Sequence, residues 1–256
     1  MNDVIYGSIS VFFASLTQVV TGFGFALLAV PLLSLFVSLH TVVALVVFFS
    51  LLINIVVVAQ TKARIELKEV WILFLFSLFG IPVGVLFVKA ANPNFLKVII
   101  GAMALATALI LMKGTRIRVR SNVLAMGIAG FFSGFLNGSI SMSGPPVVLF
   151  LANRGDKRDL FRSTISAFAI GLNVITLVSF AASGVLTADV VRNVLSLLPG
   201  AAIGTVIGAL LTRRIDEVLF GRIVLILIVV SGVAAIATGI EKLVPLTGAA
   251  RHLFFF

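Results

Sequence analysis

The 256-residue chain has no cysteine and little charge: Asp, Glu, Lys and Arg make up 11% of it, and only nine residues are acidic. The absence of cysteine excludes disulfides, thiolate metal sites and a cysteine nucleophile, and leaves the compartment open. The two histidines, His40 and His252, have no ligand partner at metal spacing, so neither a metal nor another cofactor is expected. His40 reads as a loop histidine and His252 as part of a tail. Met1-Asn2-Asp3 carries no basic n-region and no small-residue cleavage site, so no removable signal peptide is expected. With 61% hydrophobic residues the chain has too little polar surface to cover a soluble domain of this size.

What is present is a series of long apolar runs. Segments 41–59, 71–88 and 223–240 contain no Asp, Glu, Lys or Arg. Runs of about 18 residues or more read as membrane-spanning helices, because about 20 residues at about 1.5 Å rise cross the hydrocarbon core. The pattern predicts helices over 4–37, 39–60, 70–89, 96–112, 122–153, 160–183, 191–212 and 217–240. Two connections carry clear breakers, Asn92-Pro93-Asn94 and Lys113-Gly114-Thr115. The net charge of +10 belongs to basic loops that orient the chain in a bilayer, and no nucleic-acid partner is expected.

Segments 4–37 and 122–153 are too long for one crossing each. A helix of about 34 residues would be roughly 51 Å long, against a hydrocarbon core of about 30 Å. Both are interrupted, the first at Thr21-Gly22-Phe23-Gly24 with Pro31 beyond, the second from Asn137-Gly138-Ser139 to Ser143-Gly144-Pro145-Pro146. Each is either a kinked helix or a helix with a shorter return helix. Loop charge separates the two. Single crossings place ten Lys and Arg on one side and nine on the other. Turning both segments back gathers 14 on one side, Arg162 among them, and leaves five on the other. The positive-inside rule favours the second arrangement: ten segments, both termini outside, and loops 61–69 and 113–121 in the cytoplasm.

The chain also matches itself. Gly80 and Gly84 correspond to Gly204 and Gly208 at an offset of 124, Asn54 to Asn173 at 119, and Gly24 and Pro31 to Gly138 and Pro145 at 114. An odd number of segments per half makes the halves antiparallel. The expected fold is thus an all-α polytopic membrane protein of two inverted repeats, 1–113 and 114–256, each with four full helices and a broken or re-entrant first helix.

The segments Gln18-Val19-Val20-Thr21-Gly22-Phe23-Gly24, continuing to Val30-Pro31-Leu32-Leu33, and Ser133-Gly134-Phe135-Leu136-Asn137-Gly138, ending in Gly144-Pro145-Pro146, resemble the repeat starts of the TauE/SafE sulfite exporter-like permeases. The resemblance covers essentially the whole chain. Many members have adjacent glycines where this chain runs from Ser139 to Gly144. The resemblance implies export or uptake of sulfite, a sulfonate or another small organic anion.

An anion in a low dielectric needs donors. Helix ends offer unpaired backbone N–H groups, glycine admits close approach, and hydroxyls add neutral donors. The breaks supply Thr21, Gly22 and Gly24 in one half and Asn137, Gly138, Ser139, Ser141, Ser143 and Gly144 in the other. The same residues also suit close helix packing, which is the better reading for Gly80, Gly84, Gly204 and Gly208. Asn54 and Asn173, each near the middle of a predicted helix, either line the site or bond between helices. Gln18 is a weaker instance of the same type.

Every acidic residue falls in a loop, a terminus or a helix end, so no intramembrane carboxylate for proton or sodium coupling is evident. No nucleophile–base set is visible either, and no enzyme is expected. The expectation is a secondary transporter, an exporter, in a bacterial inner membrane, whose partners are a small anionic substrate and the lipid bilayer, with a homodimer left open. An importer of a small organic solute and a membrane scaffold without transport are the alternatives.

Overall fold

A computed structural model describes residues 2–61, 67–113, 123–152, 158–212 and 217–243. The loop expected at 113–121 lies almost wholly outside these residues, as does the Phe254-Phe255-Phe256 tail. Among the described residues the only regular elements are ten α-helices: α1 Asn2–Thr21, α2 Phe25–Leu33, α3 Leu39–Gln60, α4 Leu67–Ala90, α5 Pro93–Lys113, α6 Val123–Ile140, α7 Gly144–Ala152, α8 Arg158–Ala182, α9 Ala188–Leu211 and α10 Glu217–Leu243. Eight are long and apolar enough to cross a membrane. The other two, α2 and α7, have nine residues each and reach only about 14 Å. The protein is an all-helical polytopic membrane protein of about ten segments, as the loop charges require.

Both over-long runs break within the expected stretches, the second later than expected: Asn137, Gly138 and Ser139 still belong to the last turn of α6, and the interruption covers only 141–143. α1 ends at Thr21, and Gly22 and Gly24 follow with φ of 84° and 105°. Left-handed backbone stops a helix, and glycine enters it without a Cβ penalty. α6 ends at Ile140, and Ser141 takes φ 59°, the one positive φ outside glycine among the described residues. Each short helix then packs against the long helix before it. Pro145 and Pro146 lie in the first turn of α7, where their missing N–H groups cost nothing. Pro93 opens α5 in the same way. His40, expected in a loop, is in the first turn of α3, with its Nε2 3.2 Å from the Val88 carbonyl oxygen.

α3 is the centre of the bundle: from Val42 to Val47 its side chains are at most 1% exposed. It packs on α8, α5 on α10, α4 on α6, and α9 on α1. The last two contacts are main chain against main chain. A Cβ on Gly80 would lie 2.1 Å from the Phe131 carbonyl oxygen, and one on Gly204 would lie 2.3 Å from that of Phe12. These glycines are packing devices, in keeping with the small-xxx-small spacing. The outer faces carry large apolar side chains such as Phe79, Leu86, Leu124 and Leu210, which suits contact with lipid tails.

Candidate functional site

A row of polar side chains runs through this apolar bundle. Gln18, at the end of α1, donates through Nε2 to Asn54 Oδ1 at 2.8 Å and to the Gly22 carbonyl at 3.1 Å. Its Oε1 accepts the Phe25 N–H at 3.0 Å, which caps the first free amide of α2. Asn54 Nδ2 in turn donates to the Ser50 carbonyl and to Ser50 Oγ, at 2.7 and 3.1 Å. Ser50 Oγ also accepts from Asn173 Nδ2 at 3.1 Å. Asn173 Oδ1 accepts from Asn137 Nδ2 at 3.2 Å, and that nitrogen bonds Thr176 Oγ1 at 2.8 Å. The chain of bonds therefore runs from the first break to the last turn of α6 before the second. Gln18, Asn54, Asn137, Asn173 and Thr176 are each at most 5% exposed. Buried amides need such partners, because the cost of an unmet hydrogen bond in hydrocarbon is severe.

Depth follows from helix position. Ser50 is the twelfth of the 22 residues of α3, so the link between the two amide pairs falls close to the middle of a crossing helix. The pairs themselves are built alike: Gln18 to Asn54 and Asn137 to Asn173 each span 36 residues. The short helices start at Phe25 and Gly144, 119 residues apart, which is also the separation of Asn54 and Asn173. On that register Gly22 stands opposite Ser141, and both have left-handed backbone. The offset of 114 expected for Gly24 with Gly138 is five residues short of it. The reason is that sequence comparison aligned a glycine and a proline, whereas the backbone turns at a glycine in one half and a serine in the other.

The remaining expected residues are used in several ways. The Thr21 hydroxyl bonds the Thr17 carbonyl at 2.9 Å and the Phe23 carbonyl, closing the first break on itself. Ser139 Oγ donates to Phe135 O at 2.7 Å, within its own helix. Ser141 Oγ donates to the Val43 carbonyl on α3, also at 2.7 Å, and ties the second break to the central helix. The Ser143 carbonyl accepts from Ser133 Oγ at 2.6 Å. Gly138 lies against α4, where a Cβ would come 2.5 Å from the Ile81 carbonyl oxygen. Gly144 faces open space, with nothing within 4 Å of a built Cβ. A cavity of about 180 Å³ adjoins the first break, lined by Thr17, Thr21, Gly24, Gly221 and Val224 among others. A wider apolar groove of about 630 Å³, between α5, α6 and α7, adjoins the second, with Pro145 and Pro146 in its wall.

Sequence reasoning missed three members of the site outright. Ser50 and Thr176 look like ordinary hydroxyls on apolar helices, and nothing local distinguishes them. Arg162 was counted with the loop charges. It is in the second turn of α8 and 4% exposed, the only charged side chain that is buried among the described residues. One guanidinium nitrogen donates to the Val19 carbonyl, and another is 3.7 Å from the exposed Asp159 carboxylate. Its stem covers Gly22, where a Cβ would lie 2.6 Å from Arg162 Cγ. Gly22 is thus required twice, for its φ and for the room it leaves. The first break is therefore not lined by neutral donors alone. The 36-residue spacing of the amide pairs was the signal that would have brought in Gln18.

Among the described residues no group of three or more His, Cys, Asp and Glu could hold a metal ion. The family model described as Sulfite exporter TauE/SafE matches residues 8–235. No curated protein and no solved structure matches the chain.

Proposed function

The chain belongs to the TauE/SafE sulfite exporter family, whose members are membrane permeases rather than enzymes, and from that premise we propose that it exports a small anion, sulfite or an organosulfonate, through the region between its two helix breaks. The observation that carries this reading is the row of amides and hydroxyls from Gln18 to Thr176, bonded to one another and to a few main-chain groups inside an apolar bundle. Polar groups at this depth are expensive, and a bundle held by leucine and valine needs none of them. Their N–H and O–H hydrogens can turn to an anion when it replaces the oxygens they now bond. Each exchange is worth about 0.5–1.5 kcal/mol net, which binds a cargo weakly enough to release it. Thr21, Gly22 and Gly24 bound this region on one side; Asn137, Gly138, Ser139, Ser141, Ser143 and Gly144 bound it on the other.

The same reading makes residues 1–113 and 114–256 inverted repeats about an axis in the membrane plane. Supporting it are two sets of five helices in one order, the common register of 119 at the breaks, and the reciprocal packing of α4 on α6 and α9 on α1. The axis would pass where α3 crosses α8, beside Ser50. With both termini outside a bacterial inner membrane, an inside-negative potential drives an anion outward by about 2.3 kcal/mol per charge per 100 mV, and no coupling ion is needed. The test is flux from proteoliposomes at clamped potential over a panel of sulfite, alkyl sulfonates and carboxylates. Sulfite or a sulfonate should leave fastest, and faster as the lumen is made negative. No flux of any member would favour a scaffold role instead.

A further inference from the structure

On the 119-residue register α3 and α8 occupy corresponding places, yet their first halves differ. Where α3 has Val43, Ala44, Leu45 and Val47, α8 has Arg162, Ser163, Thr164 and Ser166, and all eight are buried. Arg162, Ser166, Asn173 and Thr176 are spaced by four, seven and three residues, which puts them along one face of the helix. That face leads from the first break to the amide row. Asn173 and Thr176 bond within the row. Ser166 Oγ does not: the residue is 0% exposed and the oxygen has no hydrogen-bond partner. A hydroxyl buried in this way marks a place where something outside the fold completes the bond, since native interiors leave few such groups unmet. It lies one helical turn from a guanidinium that the Val19 carbonyl holds in place against Gly22.

We propose that Arg162 and Ser166 form an anion-binding step at the inner end of the transport path, before Asn173 and the amide row. Arg162 supplies positive charge and planar N–H donors suited to an oxyanion, and Ser166 supplies a further donor one turn deeper. This rests on the transporter reading and on its orientation, which places the start of α8 at the cytoplasmic face. The outer end is built differently. There Val43 replaces Arg162, and its carbonyl is occupied by Ser141 Oγ. An anion arriving from the cytoplasm meets a cation and the unpartnered Ser166 hydroxyl, whereas one arriving from outside meets Val43, Ala44, Leu45 and Val47 at the corresponding positions of α3. The two faces should therefore half-saturate at different concentrations, the inner one lower.

Initial sulfite fluxes in everted and right-side-out membrane vesicles, with no potential, test this on the intact chain. Ser166→Ala removes an atom that bonds nothing in the fold, so its melting temperature in detergent should not fall. Its half-saturating sulfite concentration at the cytoplasmic face should rise about threefold to fivefold, the usual loss for one neutral hydrogen bond. Arg162→Gln should raise that concentration about tenfold or more, as loss of a charge-assisted bond does, and Arg162→Lys should recover part of it. Both substitutions should leave the outer face within about twofold, an effect too small for one such bond. If Arg162→Gln does not accumulate, Ser166→Ala decides by itself. Equal shifts at both faces, or an unchanged inner face in Ser166→Ala, would overturn the proposal while the transporter reading stands. Absence of flux for every anion in the unmodified chain would instead remove the transporter reading and this step with it.

Discussion

Asn173→Asp exchanges a buried amide for a carboxylate of the same shape in the middle of the polar row. The bonds can be kept: Asn137 Nδ2 still has an oxygen to donate to, and the Ser50 hydroxyl can turn and donate to the other. What changes is charge. An anion passing about 6 Å from an ionised carboxylate, at an effective dielectric of about 20, is repelled by about 2.8 kcal/mol, or roughly 100-fold in affinity. The protonated carboxyl carries no charge and does not repel the anion, whereas the ionised one does. Repulsion therefore grows as pH rises and the acid ionises. The assay is flux of an alkyl sulfonate, whose own charge is constant, from proteoliposomes between about pH 5 and pH 8. The unmodified chain should show a flat profile. The variant should run near that level at the acid end and fall by about two orders of magnitude toward the basic end. Asn173→Leu, which removes hydrogen bonds without adding charge, should cost only about fivefold at every pH. Full flux through a folded Asn173→Asp at all pH values would put the path about 15 Å or more from this residue, where the same charge is worth only about 1 kcal/mol, and would refute the reasoning.

Further outcomes follow from the same contacts. Gly80→Ala places a Cβ 2.1 Å from a main-chain oxygen and should cost about 1–3 kcal/mol by thermal unfolding in detergent, whereas Gly144→Ala, which meets nothing within 4 Å, should be silent. Gln18→Leu strips partners from Asn54 Oδ1, the Gly22 carbonyl and the Phe25 N–H, and should destabilise by on the order of 3 kcal/mol, more than Leu in place of an exposed polar residue. Gly24→Leu should stop flux while the protein still inserts, and undiminished flux would place the site elsewhere; Gly138→Leu drives a side chain into the main chain of α4 at Ile81 and should lower the melting temperature as well as the flux. A cysteine introduced at Gly114, in a chain that has none of its own, should react with an impermeant maleimide only from the cytoplasmic side, and labelling from outside would end the ten-segment topology.

Much of the architecture is legible in one dimension because its causes are local. Apolar runs longer than a bilayer is thick, a glycine pair after Thr21, a serine–glycine–proline cluster after Ile140 and the sorting of Lys and Arg between loops all act within a few residues of where they stand. They led directly to eight crossing helices and two short returns. Asn54 and Asn173 could also be singled out, since an amide in the middle of an apolar helix must find a partner. Which partner is another matter. Ser50 joins the two amides only because α3 crosses α8 at that level, and Gly138 meets Ile81 rather than a cavity only because α4 lies along α6. Arg162 shows the limit most plainly. By its neighbours in the chain it is one more basic residue at a helix end, of the kind that loops use to hold orientation. Its burial depends on Gly22 and Val19, some 140 residues earlier, leaving it a space and a carbonyl. Hydropathy and helix breaking are properties of a segment, whereas the identity of a side chain's neighbours belongs to the faces that segments present to one another once packed.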